Sequence, residues 1–285
     1  MLAAPNRRVF NKSNHWNWVE MSQITGQNVK QCCAAFYGSD LARLLLGDSF
    51  HPGGTGLTSR LGQLTQLTHD STVLDVAAGR GTSAFHLAQS FGCEVVGVDL
   101  SEDNVKMATE EATLRGVANR VSFQLGDAER LAFGANSFDV ILCECAFCTF
   151  PNKQTAAKEF ARVLTPGGRL GLSDLTRTAG PLPELDGLLA WIACIGDAQP
   201  VGSYSETLRL AGLTIETIED HSYALTEMVH QIQGKLLGAE IAVGLKKVNL
   251  PGVNFADARR LAQAALSAIK DGKLGYAVVG AIKPH

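Results

Sequence analysis

Two sets of residues in this 285-residue chain have the types and spacing for chemistry. The first is a series of acids and small residues. Asp75, Ala77, Gly79 and Gly81 fall in Val73-Leu74-Asp75-Val76-Ala77-Ala78-Gly79-Arg80-Gly81-Thr82, Asp99 closes Val95-Val96-Gly97-Val98-Asp99-Leu100, and Asp127 stands in Gly126-Asp127-Ala128-Glu129. Glycines at a strand-to-helix turn let backbone approach a ligand where a side chain would obstruct it. A carboxylate at Asp99 can accept from both hydroxyls of a ribose, and Asp127 is placed to receive the exocyclic amine of an adenine, with Leu100 and Ala128 beside them. Three acids at the ends of neighbouring strands argue against a pyrophosphate, which needs uncompensated N–H groups and few nearby anions. A cationic sulfonium with an adenosine tail, S-adenosylmethionine, fits them better. A nicotinamide dehydrogenase would keep a tighter glycine fingerprint, which the run Gly79 to Ala84 meets only with alanine in the last place.

The second set is sulfur. The seven cysteines are odd in number and irregular in spacing, which fits reduced thiols rather than a disulfide framework. Cys143, Cys145 and Cys148 crowd the end of one apolar run, Ile141-Leu142-Cys143-Glu144-Cys145-Ala146-Phe147-Cys148, and strand alternation would put Cys143 and Cys145 on one face. Cys143 is divided between core and cofactor wall. Cys194 lies in Trp191-Ile192-Ala193-Cys194-Ile195-Gly196-Asp197-Ala198, and Cys32-Cys33 in an amino-terminal segment. Cys93 opens a strand and reads as core; Cys148 reads as packing, since free cysteine behaves as a small hydrophobe. His51, beside Pro52-Gly53-Gly54, is either a base or a loop contact to the cofactor. Trp16, Trp18 and His15 read as packing of an amphipathic helix.

These residues need a scaffold of alternating strands and helices. Strands are expected at 72–78, 93–100, 121–127, 138–145 and 168–175, and later at 212–219 and 275–282, each β-branched and bounded by turn chemistry. Helices are expected at 82–92, 101–116 and 153–164, then around 225–245 and 256–269. Such alternation gives a Rossmann-like, doubly wound, mostly parallel sheet of seven strands. An amino-terminal helical lid would span 1–70, the cofactor-binding core 71–176, and 177–285 would complete the sheet, with a helical insertion before the last strand covering one end of it.

Composition narrows the partners. With 46% hydrophobic residues the chain can bury a large core, and a net charge of -3 gives no general attraction to nucleic acid. No uninterrupted apolar run is long enough to span a bilayer, and the opening residues lack a signal-peptide core, so a cytoplasmic protein without membrane association is expected.

The series from Asp75 to the Pro166-Gly167-Gly168 turn resembles the class I methyltransferases, with Ala77 standing where that family has its first glycine. Within them the chain is similar to the arsenite methyltransferases. The match lies in Glu144-Cys145 ahead of Pro151-Asn152-Lys153, in Gly167-Gly168-Arg169-Leu170-Gly171-Leu172-Ser173-Asp174, and in Cys194-Ile195-Gly196-Asp197-Ala198. Glu144 replaces a family asparagine and Asp197 a family glycine. The resemblance implies methyl transfer to trivalent arsenic held by three thiolates, Cys145, Cys194 and an amino-terminal cysteine, Cys33 or Cys32. It also implies a metalloid or small-molecule substrate, with a thiol reductant as companion. Soft thiolates suit a soft trivalent ion and leave its lone pair free as the nucleophile, so no general base is required. The alternative is a small organic acceptor, an amine, thiol or phenol, with the cysteines only structural.

Overall fold

The computed structural model describes residues 49–178, 194–245 and 254–285, together with Lys30, Tyr37, Gly47, Gly180, Leu182 and Leu185. Cys32, Cys33, His15, Trp16 and Trp18 lie outside the described residues.

The first described helix, α1 (Gly54–Leu64), is followed by strict alternation: β1 (Thr72–Val76), α2 (Thr82–Phe91), β2 (Glu94–Asp99), α3 (Glu102–Leu114), β3 (Val121–Leu125), β4 (Phe138–Glu144), α4 (Lys153–Val163) and β5 (Leu164–Arg177). After these come α5 (Val201–Leu210), β6 (Thr214–Asp220), α6 (Ser222–Gly244), α7 (Phe255–Lys270) and β7 (Leu274–Ile282). The seven strands form one sheet in the order β3-β2-β1-β4-β5-β7-β6. The first five are parallel; β7 inserts antiparallel between β5 and β6. This is the expected Rossmann-like fold.

The central strands read as continuous apolar runs because both faces are covered. β1 buries every residue but its first, and β4 every residue but Asp139. Local chemistry sets the helix ends. Ser101 caps α3 by accepting from the Asn104 N–H, with Glu102 and Asp103 facing the positive end of the helix dipole. Asn152 caps α4 through the Thr155 N–H at 3.0 Å.

Two expectations are corrected, at the start of β5 and in the amino-terminal segment. β5 starts at Leu164 rather than Gly168, because Leu164 already pairs with Phe138 before a register shift in the β4–β5 ladder. The helices of the carboxyl-terminal insertion, α6 and α7, pack on each other and on β7, the strand beside the β6 end of the sheet. The last part of the amino-terminal segment belongs to the core: α1 packs on α2 and β5, with Leu61 fully buried.

Candidate active site

The carboxyl ends of β1, β2 and β4 open into a cleft walled by Asp75, Ala77, Gly79, Asp99, Leu100, Asp127, Ala128, Glu144 and Cys145 among others. Sheet topology explains its place, since the chain leaves β1 for one neighbour and β4 for the other, parting the loops above them. Ala77 adopts φ 59°, a left-handed conformation that glycine takes more readily, so the loop accommodates the alanine methyl group at some cost in backbone strain. Gly79, at φ 55°, donates its N–H to Asp99 Oδ2 at 2.8 Å. The other carboxylate oxygen of Asp99 accepts from the Ser101 N–H at 2.8 Å and from the Asn104 amide at 3.3 Å. Burial nonetheless pushes the Asp99 carboxyl above its ordinary value.

Asp75 is 2% exposed, and its Oδ2 has no hydrogen-bond partner. Burial first, and then the charges of Glu144 and Asp99, raise its pKa well above the carboxylate range. Asn104 Oδ1, on the same cleft, is a second buried acceptor without a partner. Unpaired buried acceptors are costly, and a ligand bringing a cation and hydroxyl donors would satisfy them. S-adenosylmethionine carries both, so these residues fit it.

Two of the expected cofactor contacts are placed elsewhere. Gly81 is not on the cleft wall; a Cβ there would stand 2.4 Å from the Phe123 ring, so aromatic packing and a φ of 82° require glycine. Cys143 is fully buried in register with Val76 and Leu172 and also leaves the wall to its neighbours. Alternation does not carry from Cys143 to Cys145, because β4 ends at Glu144 and Cys145 turns to φ 52°.

Sequence reasoning missed several cleft residues. Glu144 is buried, accepts two contacts from Thr58 Oγ1 at 3.2 and 3.1 Å, and lies 3.6 Å from His51 Nδ1. His51, which the sequence did single out, stands with Nε2 3.3 Å from Ser83 Oγ, and together they make a buried polar group at the cleft wall. A charge interrupting an apolar strand run was the signal for Glu144. Lys30 pairs with Asp127 and Glu129, both at 2.8 Å, and no local pattern pointed to so distant a partner.

The thiols gather at the end of β4. Cys145 is fixed by its N–H to the Ser173 carbonyl at 2.7 Å, and Cys148 by its N–H to Asp174 Oδ2 at 2.8 Å. Thus the Ser173-Asp174 pair of β5 positions the segment after β4. Cys194 also has a left-handed backbone, φ 62°. Its loop is tied to β5 through Tyr204, whose hydroxyl accepts from the Gln199 N–H at 2.9 Å and donates to the Leu175 carbonyl at 3.0 Å. Cys194 Sγ lies 3.5 Å from the Cys145 carbonyl oxygen and 3.0 Å from the Tyr37 hydroxyl.

The neighbouring Cys145 and Cys148 thiols and the Tyr37 hydroxyl favour the Cys194 anion and lower its pKa well below the ordinary thiol value, against the effect of burial. Their own values rise, that of Cys145 chiefly through the adjacent Cys194 and that of Cys148 chiefly through burial. Burial and the adjacent Cys194 push Asp174 up to about 7. Among the described residues no group of three His, Cys, Asp or Glu side chains is disposed as it stands to hold a metal ion. Cys93 is fully buried in the core.

Residues 67–201 match the family described as "Methyltransferase domain". A 27-O-demethylrifamycin SV methyltransferase from Amycolatopsis mediterranei is 31% identical over 206 residues, 65% of this chain and 73% of that protein. An arsenite methyltransferase from Halobacterium salinarum is 36% identical over 115 residues, 40% of this chain and 29% of that protein. A putative sarcosine dimethylglycine methyltransferase from Galdieria sulphuraria shares the fold with a TM-score of 0.75 at 19% identity, over 87% of this chain and 98% of that one. The chain therefore belongs to the class I S-adenosylmethionine-dependent methyltransferases. Its cofactor is S-adenosylmethionine, which supplies a methyl group on a positively charged sulfur. Among the described residues no helix is long and apolar enough to cross a membrane.

Proposed function

We propose that this methyltransferase acts on a trivalent arsenical held by cysteine thiolates at the end of β4. The observation that carries the reading is the meeting of Cys145, on the cleft wall, with Cys194, brought from beyond β5; both sit on left-handed backbone that no turn glycine supplies. Strained backbone at a ligand wall is typical of positions kept for function. The depressed pKa of Cys194 favours the thiolate, the form that binds soft ions. The likeness to an arsenite methyltransferase supports the same substrate class, and a small thiol would serve to keep the cysteines reduced.

In this reading Asp99 and Asp127 hold the ribose and adenine, and Asp75 and Glu144 surround the cationic end of the cofactor. Lys30 must yield Asp127 when an adenine amine reaches it. Cys145 and Cys194 orient the acceptor so that its lone pair faces the cleft, and orientation is the protein's main contribution.

A second reading is favoured by His51 and Glu144. A buried histidine 3.6 Å from a carboxylate is an arrangement for taking a proton from an organic hydroxyl or amine. Incubating the protein with labelled S-adenosylmethionine and arsenite, a thiol, an amine and a phenol separates the two. Labelled methylarsenical, lost in Cys145→Ser and Cys194→Ser but kept in His51→Asn, supports the first. Label in the amine or phenol, lost in His51→Asn, overturns it.

A further inference from the structure

Lys30 brings the amino-terminal segment to the end of the cleft where Leu100, Asn104 and Asp127 stand. Its ammonium lies 3.0 Å from Asp127 Oδ1, 2.8 Å from Asp127 Oδ2 and 2.8 Å from Glu129 Oε2, so two acids engage all of its protons. We infer that this ammonium and the exocyclic amine of the cofactor's adenine are alternative partners of Asp127, which makes Lys30 a built-in competitor that sets how much the amine contributes to binding. This rests on the reading that places the amine at Asp127.

The acceptor capacity of Asp127 is nearly spent. An ionised carboxylate offers about four lone-pair sites. Oδ1 accepts from Lys30 and from the Glu129 N–H at 2.9 Å, and Oδ2 accepts from Lys30 as well. The Glu129 N–H is fixed two positions along the backbone and cannot leave. What remains is a place on Oδ2 beside the ammonium, where the hydrogens of an incoming amine meet those of a cation. The amine gains its full bond only as the ammonium withdraws.

The ammonium has a partner to withdraw to. Glu129 Oε1 accepts the Asn152 N–H at 2.8 Å, which fixes that carboxylate at the start of α4 with Oε2 still turned to Lys30. The amino-terminal segment also has a second anchor: Tyr37 lies 3.0 Å from the Cys194 sulfur, and its ring centroid is 5.8 Å from that of Phe50. The ammonium can therefore shift while Tyr37 keeps the segment on the cleft. Magnitudes decide the direction. The Lys30 and Asp127 side chains are 17% and 35% exposed, so their pair is partly solvated and closer in worth to a surface ion pair than to a buried one. A hydrogen bond to a charged acceptor is worth more than that, so the amine displaces the ammonium and not the reverse.

The test is calorimetric binding of S-adenosylhomocysteine, and of its analogue with hydrogen in place of the exocyclic amine, to the full chain and to its Lys30→Met and Asp127→Ala variants. The ratio of the two dissociation constants reads the amine alone. Lys30→Met should bind S-adenosylhomocysteine more tightly and the analogue as before, widening the preference for the amine by about threefold to fivefold, the scale of a partly exposed ion pair. Asp127→Ala should abolish the preference. Lys30→Gln gives the same readout if the methionine variant does not fold. An unchanged or narrower preference in the Lys30 variants would mean that Lys30 only braces the segment, and would overturn the inference while leaving the amine at Asp127. A preference undiminished in Asp127→Ala would remove the amine from Asp127, and the inference with it.

Discussion

The backbone N–H of Gly79 donates to Oδ2 of Asp99 across 2.8 Å, so the glycine loop after β1 and the carboxylate at the end of β2 are held as one unit. The bond leaves the carboxylate aimed at the cleft. It also means that loss of the side chain loosens the loop. Asp99→Ala should weaken S-adenosylmethionine binding by about 1.5 to 3 kcal/mol, the worth of hydrogen bonds to a charged group. Calorimetry measures it; unchanged affinity in the folded variant would remove Asp99 from the cofactor site.

Ala77 holds a left-handed backbone at φ 59°. That conformation costs an L-residue about 1 to 2 kcal/mol, and glycine returns about half through its freer unfolded chain. Ala77→Gly should therefore stabilise the protein by up to about 1 kcal/mol. Urea unfolding is the measurement, and a destabilised variant would show that the alanine methyl packs more usefully than its backbone strains.

Asp174 titrates near 7 in the folded state because burial, followed by the Cys194 charge, disfavours its anion. Its folded pKa is raised above the unfolded value, so its contribution to stability is fully present below the unfolded pKa and is lost as pH rises toward 7. Asp174→Asn cannot ionise. Relative to wild type it should gain about 2 kcal/mol of stability between pH 5.5 and 8, at about 1.4 kcal/mol per pH unit up to 7. Denaturation at the two pH values tests this, and a pH-independent difference would exclude Asp174 as the titrating group.

Tyr37 stands 3.0 Å from the Cys194 sulfur and, with two thiols, favours its anion. Tyr37→Phe removes one donor, so the Cys194 pKa should rise. Ultraviolet titration of the thiolate would shift to higher pH in Tyr37→Phe and lose that transition in Cys194→Ser. An unmoved titration would mean that the two thiols alone set the charge.

The ammonium of Lys153, buried to 7% side-chain exposure, pairs with Asp197 and donates to the Phe150 carbonyl at 3.1 Å. The acid that replaces a family glycine thus neutralises a buried cation. Asp197→Gly should cost about 1 to 3 kcal/mol, less than a fully buried pair because Asp197 is partly exposed. Adding Lys153→Met should restore most of it; a thermal melt that shows no rescue would place the loss in the loop backbone instead.

The sequence by itself determined the alternation of strands and helices, the glycine loop, and the three acids at strand ends. Each of these is local: a period, a cap, or a turn residue read within a few positions, as with Ser101 before α3 or Asp99 after a β-branched run. It also singled out Cys145 and Cys194, through their neighbours in the chain. Only the tertiary structure decided which residues share the site. Cys143 and Cys145 part company because one dihedral at the end of β4 breaks the strand period, while Gly81 answers to Phe123 rather than to a ligand. Lys30 reaches Asp127 across 97 positions, Tyr37 reaches Cys194 across 157, and Glu144 finds Thr58 and His51. Cys148 is packed in the core, as its surroundings in the chain suggested, but the group that anchors its backbone, the Asp174 carboxylate on β5, stands 26 positions away and only the assembled sheet brings it there.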